Sequence, residues 1–401
     1  MNLPALAEGL AEALQRAWSR HPQALADPAL EAAALARAEL AAALTPGPAA
    51  VSLDHLSDGA GSDRGKREWQ VEFAIPLWLP KLRSAREAEA RAALDELHAM
   101  RHALRLKLAG ELREAWWTIA AARQALDLSQ RRLASARALE ADVARRYLAG
   151  DLARTDANLA RNERMAAEAE VIDANAALTR AEQAWQVLTG TPPPLNLAPE
   201  TAPAADSDAE HPRLAALMAA MRLAQARVRV AEESRRDSPE LALRVVRERS
   251  DVHDPYGYSL GVKFTLPLAA DTRTTQDSAS ARAAYVMAEA EANQARLILA
   301  QDLARARREL DAVEAQLTLA RERKALIDEN LKLAEKAFAL GETDLHTLLR
   351  VRALAMETEA NLGRLQISRG AAHSRLLQAL GFCHDPHDRH DTGPLRARMG
   401  A

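Results

Sequence analysis

The sequence predicts a mainly α protein with a small β part, in which one unit of helix, β-hairpin, long helix and returning helix occurs twice. Three observations carry this expectation. Two short stretches, 69–80 (WQVEFAIPLWLP) and 260–270 (LGVKFTLPLAA), alternate apolar and polar residues, and a period of two marks a strand with one apolar and one polar side. Each runs into a long proline-free segment with leucines seven apart, the coiled-coil repeat. Landmarks in the two halves also align at a single offset.

Composition supports long helices over a thick globular core. The 401 residues are rich in Ala, Leu, Arg and Glu, with 3% aromatics, a coiled-coil profile. A net charge of −3 gives no electrostatic case for a nucleic-acid partner. The single cysteine, Cys383, excludes an internal disulfide framework. No run of eighteen apolar residues occurs, so no membrane-spanning helix is expected. The first twenty residues carry Glu8, Glu12 and Arg16 at helical spacing and lack a basic start and an apolar centre, so they do not read as a signal peptide.

In chain order, residues 3–45 read as helix broken near Arg20-His21-Pro22, because proline disfavours helix in the residue before it. Residues 49–55 are a strand candidate, 58–66 a loop rich in Asp, Gly and Ser, and 67–79 the strand that completes a hairpin. Residues 81–147 form a helix about 100 Å long at 1.5 Å per residue, with Leu112, Ile119, Leu126 and Leu133 seven apart. A turn at Gly150-Asp151 leads into a returning helix, 153–188, stopped at Gly190. A turn so short makes the two helices antiparallel neighbours. Residues 191–212 read as a Pro-rich linker.

The plan then repeats: helix 214–233, strand candidate 239–248, loop 249–257, strand 258–268, a rod over 274–340 with Leu303, Leu310 and Leu317 seven apart, a break at Gly341, and a return over 344–380 to Gly381. Val71/Val262, Phe73/Phe264, Pro76/Pro267, Gly150/Gly341 and Gly190/Gly381 all differ by 191, and paired glycines, prolines and phenylalanines at one offset are strong evidence of duplication. The expected divisions are a first repeat (1–190), the linker (191–212), a second repeat (213–382) and a disordered His/Asp tail (383–401).

Four strands and four helical strips per chain do not close on themselves. About eight strands is the minimum for a barrel, so at least two chains are implied, with three preferred. The apolar faces, Trp69, Val71, Phe73 and Ile75 in one copy and Leu260, Val262, Phe264 and Leu266 in the other, suit a barrel whose outside meets lipid. Nine residues at about 3.3 Å, tilted by roughly 40°, span close to the 25 Å apolar band of such a barrel. Trp69 and Trp78 would bound this band, and Tyr256 and Tyr258 would supply the outer girdle in the second copy.

These features bring the chain to a known family. It resembles the TolC-like outer membrane efflux family over nearly its full length. The matching features are the duplicated plan, the strand ends Ile75-Pro76-Leu77 and Leu266-Pro267-Leu268, the turns 147–152 (YLAGDL) and 338–343 (FALGET), and the early 17–22 (AWSRHP). Its compact length is similar to the heavy-metal-efflux, CzcC-like subgroup. The resemblance implies a homotrimer with a 12-strand β-barrel in the outer membrane and a 12-helix α-barrel across the periplasm. It also implies docking through a periplasmic adaptor (a membrane fusion protein) to an inner-membrane pump of the RND or ABC type, for efflux or type I secretion. The cargo would be metal ions or small toxic compounds. Several members carry acidic rings just after the second turn; here 344–350 (DLHTLLR) holds a single acid.

No catalytic constellation is present, and neither an enzyme activity nor a cofactor is expected. Gly59-Ala60-Gly61 reads as a turn, and there is no His-Glu-x-x-His or Cys-x-x-Cys. Cys383, His384, His387 and His390, with Asp385, Asp388 and Asp391, have the composition of a metal site or of a polar tail. The two turns are the main functional candidates. Gly150, Asp151, Leu152, Thr155 and Asp156, with Gly341, Glu342, Thr343, Asp344 and His346, would carry adaptor docking and the gate. Arg145, Arg146, Asp151, Asp156, Glu342 and Asp344 would hold a closed tip by ion pairs, each worth under about 1 kcal/mol where exposed. The rival readings are a soluble coiled-coil scaffold or adaptor without channel activity, and a metal-binding periplasmic protein.

Overall fold

The computed structural model describes residues 9–61, 64–196, 200, 210–234, 236–268 and 271–383. Its elements run α1 (Leu10–Arg20), α2 (Pro22–Ala42), β1 (Ala50–Ser57), β2 (Arg67–Pro76), α3 (Leu82–Ala149), α4 (Arg154–Thr189), α5 (Pro212–Glu233), β3 (Glu240–Arg249), β4 (Gly257–Thr265), α6 (Asp271–Ala339) and α7 (Leu345–Ala379). The expected break at His21 is present: its backbone is extended (ψ 131°) and Pro22 opens α2, where its missing N–H costs nothing. Both strands expected to reach Leu79 and Leu268 stop earlier, at Pro76 and Thr265, because a proline cannot donate to the ladder.

By compactness the chain divides into two units, each drawing on both repeats. One comprises 26–103 and 212–296 and holds the sheet. The four strands are antiparallel in the order β1-β2-β3-β4, so the hairpins of the two repeats are joined by β2 and β3. Register places Val51, Phe73, Leu243 and Val262 in one row and Leu53, Val71, Val245 and Leu260 in the next. Beneath the sheet, Leu79, Leu82, Ala85 and Val230 form a buried cluster on which Trp78 packs. Arg101 ties α3 to α2 through Asp27 (2.6 Å) and Glu31 (2.9 Å).

The other unit comprises 1–25, 104–211 and 297–401 and holds the paired helices. Here the heptad leucines do what their spacing predicts: Leu112 and Ile119 are wholly buried with Trp185 of α4 and Leu10, Ala13 and Leu14 of α1. Contact between α3 and α7 is unusually close. A Cβ on Gly370 would stand 2.0 Å from Cη2 of Trp117, and one on Gly363 would overlap the amide of Gln124. Trp117 and Gln124 are seven apart, as are Gly363 and Gly370, so two successive heptads of α3 seat large side chains in gaps that glycine leaves on α7. Trp117 Nε1 then donates to Ser374 Oγ at 2.9 Å.

Candidate functional site

The sheet has two faces of opposite character. On one face of β2, Trp69, Val71 and Phe73 are 41–47% exposed, while Glu72 and Ala74, facing the other way, are buried. In the second repeat Leu260, Val262, Phe264 and Leu266 are 44–73% exposed, and β3 adds Leu241, Leu243 and Val245 to the same bare surface. Ile75 is half-buried at its edge. Every strand acid, Asp54, Glu68, Glu72, Glu240 and Glu248, falls on the opposite face by register. There Lys263 Nζ donates to Glu72 at 3.1 Å. This is inverted relative to a water-soluble sheet, whose exposed face is polar.

Trp78 does not bound that surface. Its Nε1 donates to the carbonyl of Ala43 at 3.0 Å and its ring joins the cluster beneath the sheet, because the chain has already left β2 at Pro76. At the loop end, Trp69 stacks on His55 with ring centroids 4.0 Å apart, and Arg247 covers Tyr256 at 4.0 Å.

The second site is the pair of helix-turn tips. Gly150 and Gly341 have φ of +88° and +77°, a left-handed conformation that glycine adopts without strain. Each ends its helix in the same way: the glycine N–H bonds the carbonyl three residues back (Tyr147, Phe338), and the next N–H, of Asp151 or Glu342, bonds the carbonyl five residues back (Arg146, Ala337). At the first tip Asp156 accepts from the N–H of Ala153 at 3.2 Å. At the second, Asp344 caps α7 by accepting from the N–H of Thr347 at 2.7 Å. Hydrogen bonds from the Thr347 side chain, then from its N–H, hold the Asp344 carboxyl below its ordinary value.

Within the single chain the tip charges are used locally. Arg145 and Arg146 both pair with Asp142 on their own helix, at 3.0 and 3.1 Å. Asp156 and Asp344 satisfy helix ends, and Asp151 and Glu342 form no ion pair among the described residues. What joins the tips is apolar. Leu139, Val143, Ala160, Phe338, Leu345 and Leu348 form one buried cluster, with Leu152 against it, and the Arg146 guanidinium lies 4.9 Å over the Phe338 ring. Residues Gly150, Asp151, Thr155, Gly341, Glu342, Asp344 and His346 stay exposed around this knot, and Thr343 is half-buried.

Sequence reasoning missed a buried polar network beside the linker. Arg113 and Glu200 pair at 2.8 Å with side chains 4% and 7% exposed. Glu200 also accepts from Ser374 Oγ at 2.8 Å, and Arg113 reaches the carbonyl of Phe382 at 3.0 Å. Further along, Arg123 donates to the carbonyls of Pro194 and Leu195. The Pro-rich composition gave no hint that this segment is pinned. Among the described residues there is no cluster able to hold a metal. Cys383 packs against the Leu10–Trp185 core, and His384, His387 and His390 lie outside the described residues.

Two helical hairpins and a small antiparallel sheet with a bare apolar face make up a fold that solved outer-membrane channels share. VceC of Vibrio cholerae matches with a TM-score of 0.76 at 16% identity, covering 94% of this chain and 97% of that one. A membrane protein from Pseudomonas aeruginosa matches at 0.74 and 20%, over 93% and 90%, and the CmeC outer membrane channel of Campylobacter jejuni at 0.72 and 14%, over 93% and 86%. The model of the family described as outer membrane efflux protein matches residues 205–382. That match lies within the linker and the second repeat, and over the whole chain the fold is shared with these solved outer-membrane proteins. No curated protein matches the sequence.

Proposed function

We propose that this chain is the outer-membrane channel component of a tripartite efflux or type I secretion system, a passive duct and not an enzyme. The observation that carries the reading is the bare apolar face of the sheet, with its acids turned to the other side. Exposed in water, such a face would be an aggregation site; in a bilayer it is the outside of a barrel and the acids line its interior. Within the chain β1 and β4 each pair on one side only, and open edges cannot persist in lipid. Three copies would close twelve strands. Helix surfaces support the same assembly: Leu319, Leu326 and Leu333 of α6, with Leu340 just past its end, recur every seven residues and are 60–66% exposed, a seam that asks for a neighbouring helix.

In this arrangement the exposed tip residues receive a periplasmic adaptor, and an inner-membrane pump of the RND or ABC type supplies the energy. Opening is a shift in the population of tip conformations, and the cargo is metal ions or small toxic compounds. Outer-membrane fractionation of the expressing cells, chemical cross-linking and planar-bilayer conductance test the reading together. Cross-linked trimers in the outer membrane that conduct ions are expected; a soluble monomer would instead favour the coiled-coil scaffold.

A further inference from the structure

The bare face of the sheet is not uniformly apolar. Rows at the helix end and middle are aliphatic or aromatic, but the last two rows before the hairpin loops change. Register sets His55, Trp69, Arg247 and Tyr258 in one row and Ser57, Arg67 and Arg249 in the next. Three arginines therefore gather at one end of a face that carries no acid. Arg67 and Arg249 stand directly opposite each other, where like charges across a strand pair destabilise it.

Among the described residues, rings and a carbonyl hold two of them, and no carboxylate pairs with any of the three. Arg247 lies over Tyr256 and Tyr258, at 4.0 and 5.8 Å from the ring centroids. Arg249 lies 5.0 Å over Tyr256 and donates Nε to the carbonyl of Gly65 at 3.1 Å. None of the three has an ion pair among the described residues. Glu68 and Glu248 belong to the opposite face. Two of the loop acids are engaged nearby: Asp58 accepts from the N–H of Arg64 at 2.8 Å. Asp251, within the field of Arg249, accepts from the N–H of His253 at 3.0 Å.

From this we propose that Arg67, Arg247 and Arg249 form a binding site for the phosphate of a membrane-lipid headgroup at the loop end of the barrel. The inference rests on the outer-membrane reading and deepens it. Apolar rows, an aromatic row and then a cationic row match the depth order of acyl chain, interface and phosphate. The occupant is a lipid and not a free anion, because the same strands that carry the arginines carry the acyl-sized apolar surface without a break. Guanidinium groups suit phosphate by their paired donors, and the aromatic rings fix two of the three in place.

The test uses the full chain extracted from outer membranes in neutral detergent, titrated with bisphosphorylated lipid A and with phosphatidylcholine and read by native mass spectrometry. The wild type is expected to prefer lipid A, and R67Q/R247Q/R249Q to lose that preference by about fivefold for each arginine removed. R67Q alone, which disturbs no contact described above, should lose about fivefold. Equal lipid A binding by wild type and variants that remain in the outer membrane would overturn the site and leave the channel reading standing. Displacement of lipid A by inorganic phosphate at equal concentration would overturn the lipid assignment. Failure of the wild type itself to reach the outer membrane would overturn both.

Discussion

Lys263 donates to Glu72 at 3.1 Å across the polar face of the sheet, and the two residues lie 191 positions apart, the offset of the duplication. They are the same position in the two repeats, now carrying opposite charges. Between them runs β3, where Ala242, opposite Lys263 in register, is too small to block the reach. Arg244, opposite Glu72 in register, lies instead over Gly261, where a Cβ would come within 3.0 Å of it. Two copies of one hairpin have diverged into complementary partners.

Reversing either charge, E72K or K263E, should destabilise the sheet, and the double reversal should restore most of the loss. Glu72 is nearly buried, so the cost should exceed the roughly 0.2–1 kcal/mol of an exposed pair. Lys263 is half-exposed, so it should stay below the about 3–5 kcal/mol of a fully buried one. Thermal unfolding of the three variants in one detergent measures the coupling directly. Additive losses in the double variant would show that the contact contributes nothing.

Packing of α3 on α7 predicts an asymmetry between two glycines. G370A would drive a methyl into the rigid indole of Trp117, and overpacking of this kind costs about 1–3 kcal/mol. G363A meets only the far end of the flexible Gln124 side chain, which can swing away. G370A should therefore lower the melting temperature clearly more than G363A. Equal shifts would mean that Trp117 yields as readily as Gln124.

The buried Arg113–Glu200 pair predicts that one linker residue stabilises the helical unit. E200Q leaves the Arg113 guanidinium buried without its counter-charge, a loss of about 3–5 kcal/mol for pairs of this type. R113M/E200Q removes both charges and should recover part of it. Denaturant unfolding of the three proteins checks the order, and limited proteolysis within 191–212 should speed up in E200Q if the pair pins the linker.

How far the sequence could be read follows from what each feature depends on. Strand alternation, heptads, glycine turns and the offset of 191 are local or periodic, so the elements and their duplication were legible, as was the apolar face of each hairpin. Trp78 was misplaced because it sits at the alternate parity, with Glu72 and Ala74 and not with Trp69 and Val71, and because β2 ends at Pro76 before it. The local partner of the tip arginines was not legible, because charge is visible in a sequence and the choice of partner is not: Asp142, four residues before Arg146, pairs with both within the chain. Glu200 was invisible because a lone acid in a Pro-rich stretch has no pattern, and its partners lie 87 and 174 residues away. Gly363 and Gly370 look like helix defects until the side chains that fill their gaps are known.

At the tips, Phe338 should matter more to closure than any surrounding charge. It is buried in the cluster shared by both turns and is covered by Arg146, which also donates to its carbonyl at 3.3 Å. F338A removes that core and should cost about 3–5 kcal/mol locally, loosening one tip from the other. E342Q, at an exposed residue without an ion pair, should be silent. Planar-bilayer recordings should show larger or more frequent openings for F338A than for the wild type, with R146A intermediate. Opening by E342Q and not by F338A would return the gate to the charges.

The second tip should also respond to acid. Asp344 caps α7 through Thr347, and its carboxyl is held below the ordinary value of 3.8. A depressed carboxylate contributes stability that is fully present above the unfolded value and lost as pH falls through the folded one. The cap should therefore hold from neutral pH down to about 4 and release below it, starting with the N–H of Thr347. Amide exchange along the first turn of α7, followed from pH 6 to pH 3 and corrected for intrinsic exchange, should show protection at Thr347 and Leu348 falling only in the acid part of that range. In D344N, whose amide oxygen still accepts but does not titrate, protection should be lower at pH 6 and flat with pH. A wild-type profile as flat as that of D344N would mean that the charge of Asp344 does not hold the end of α7.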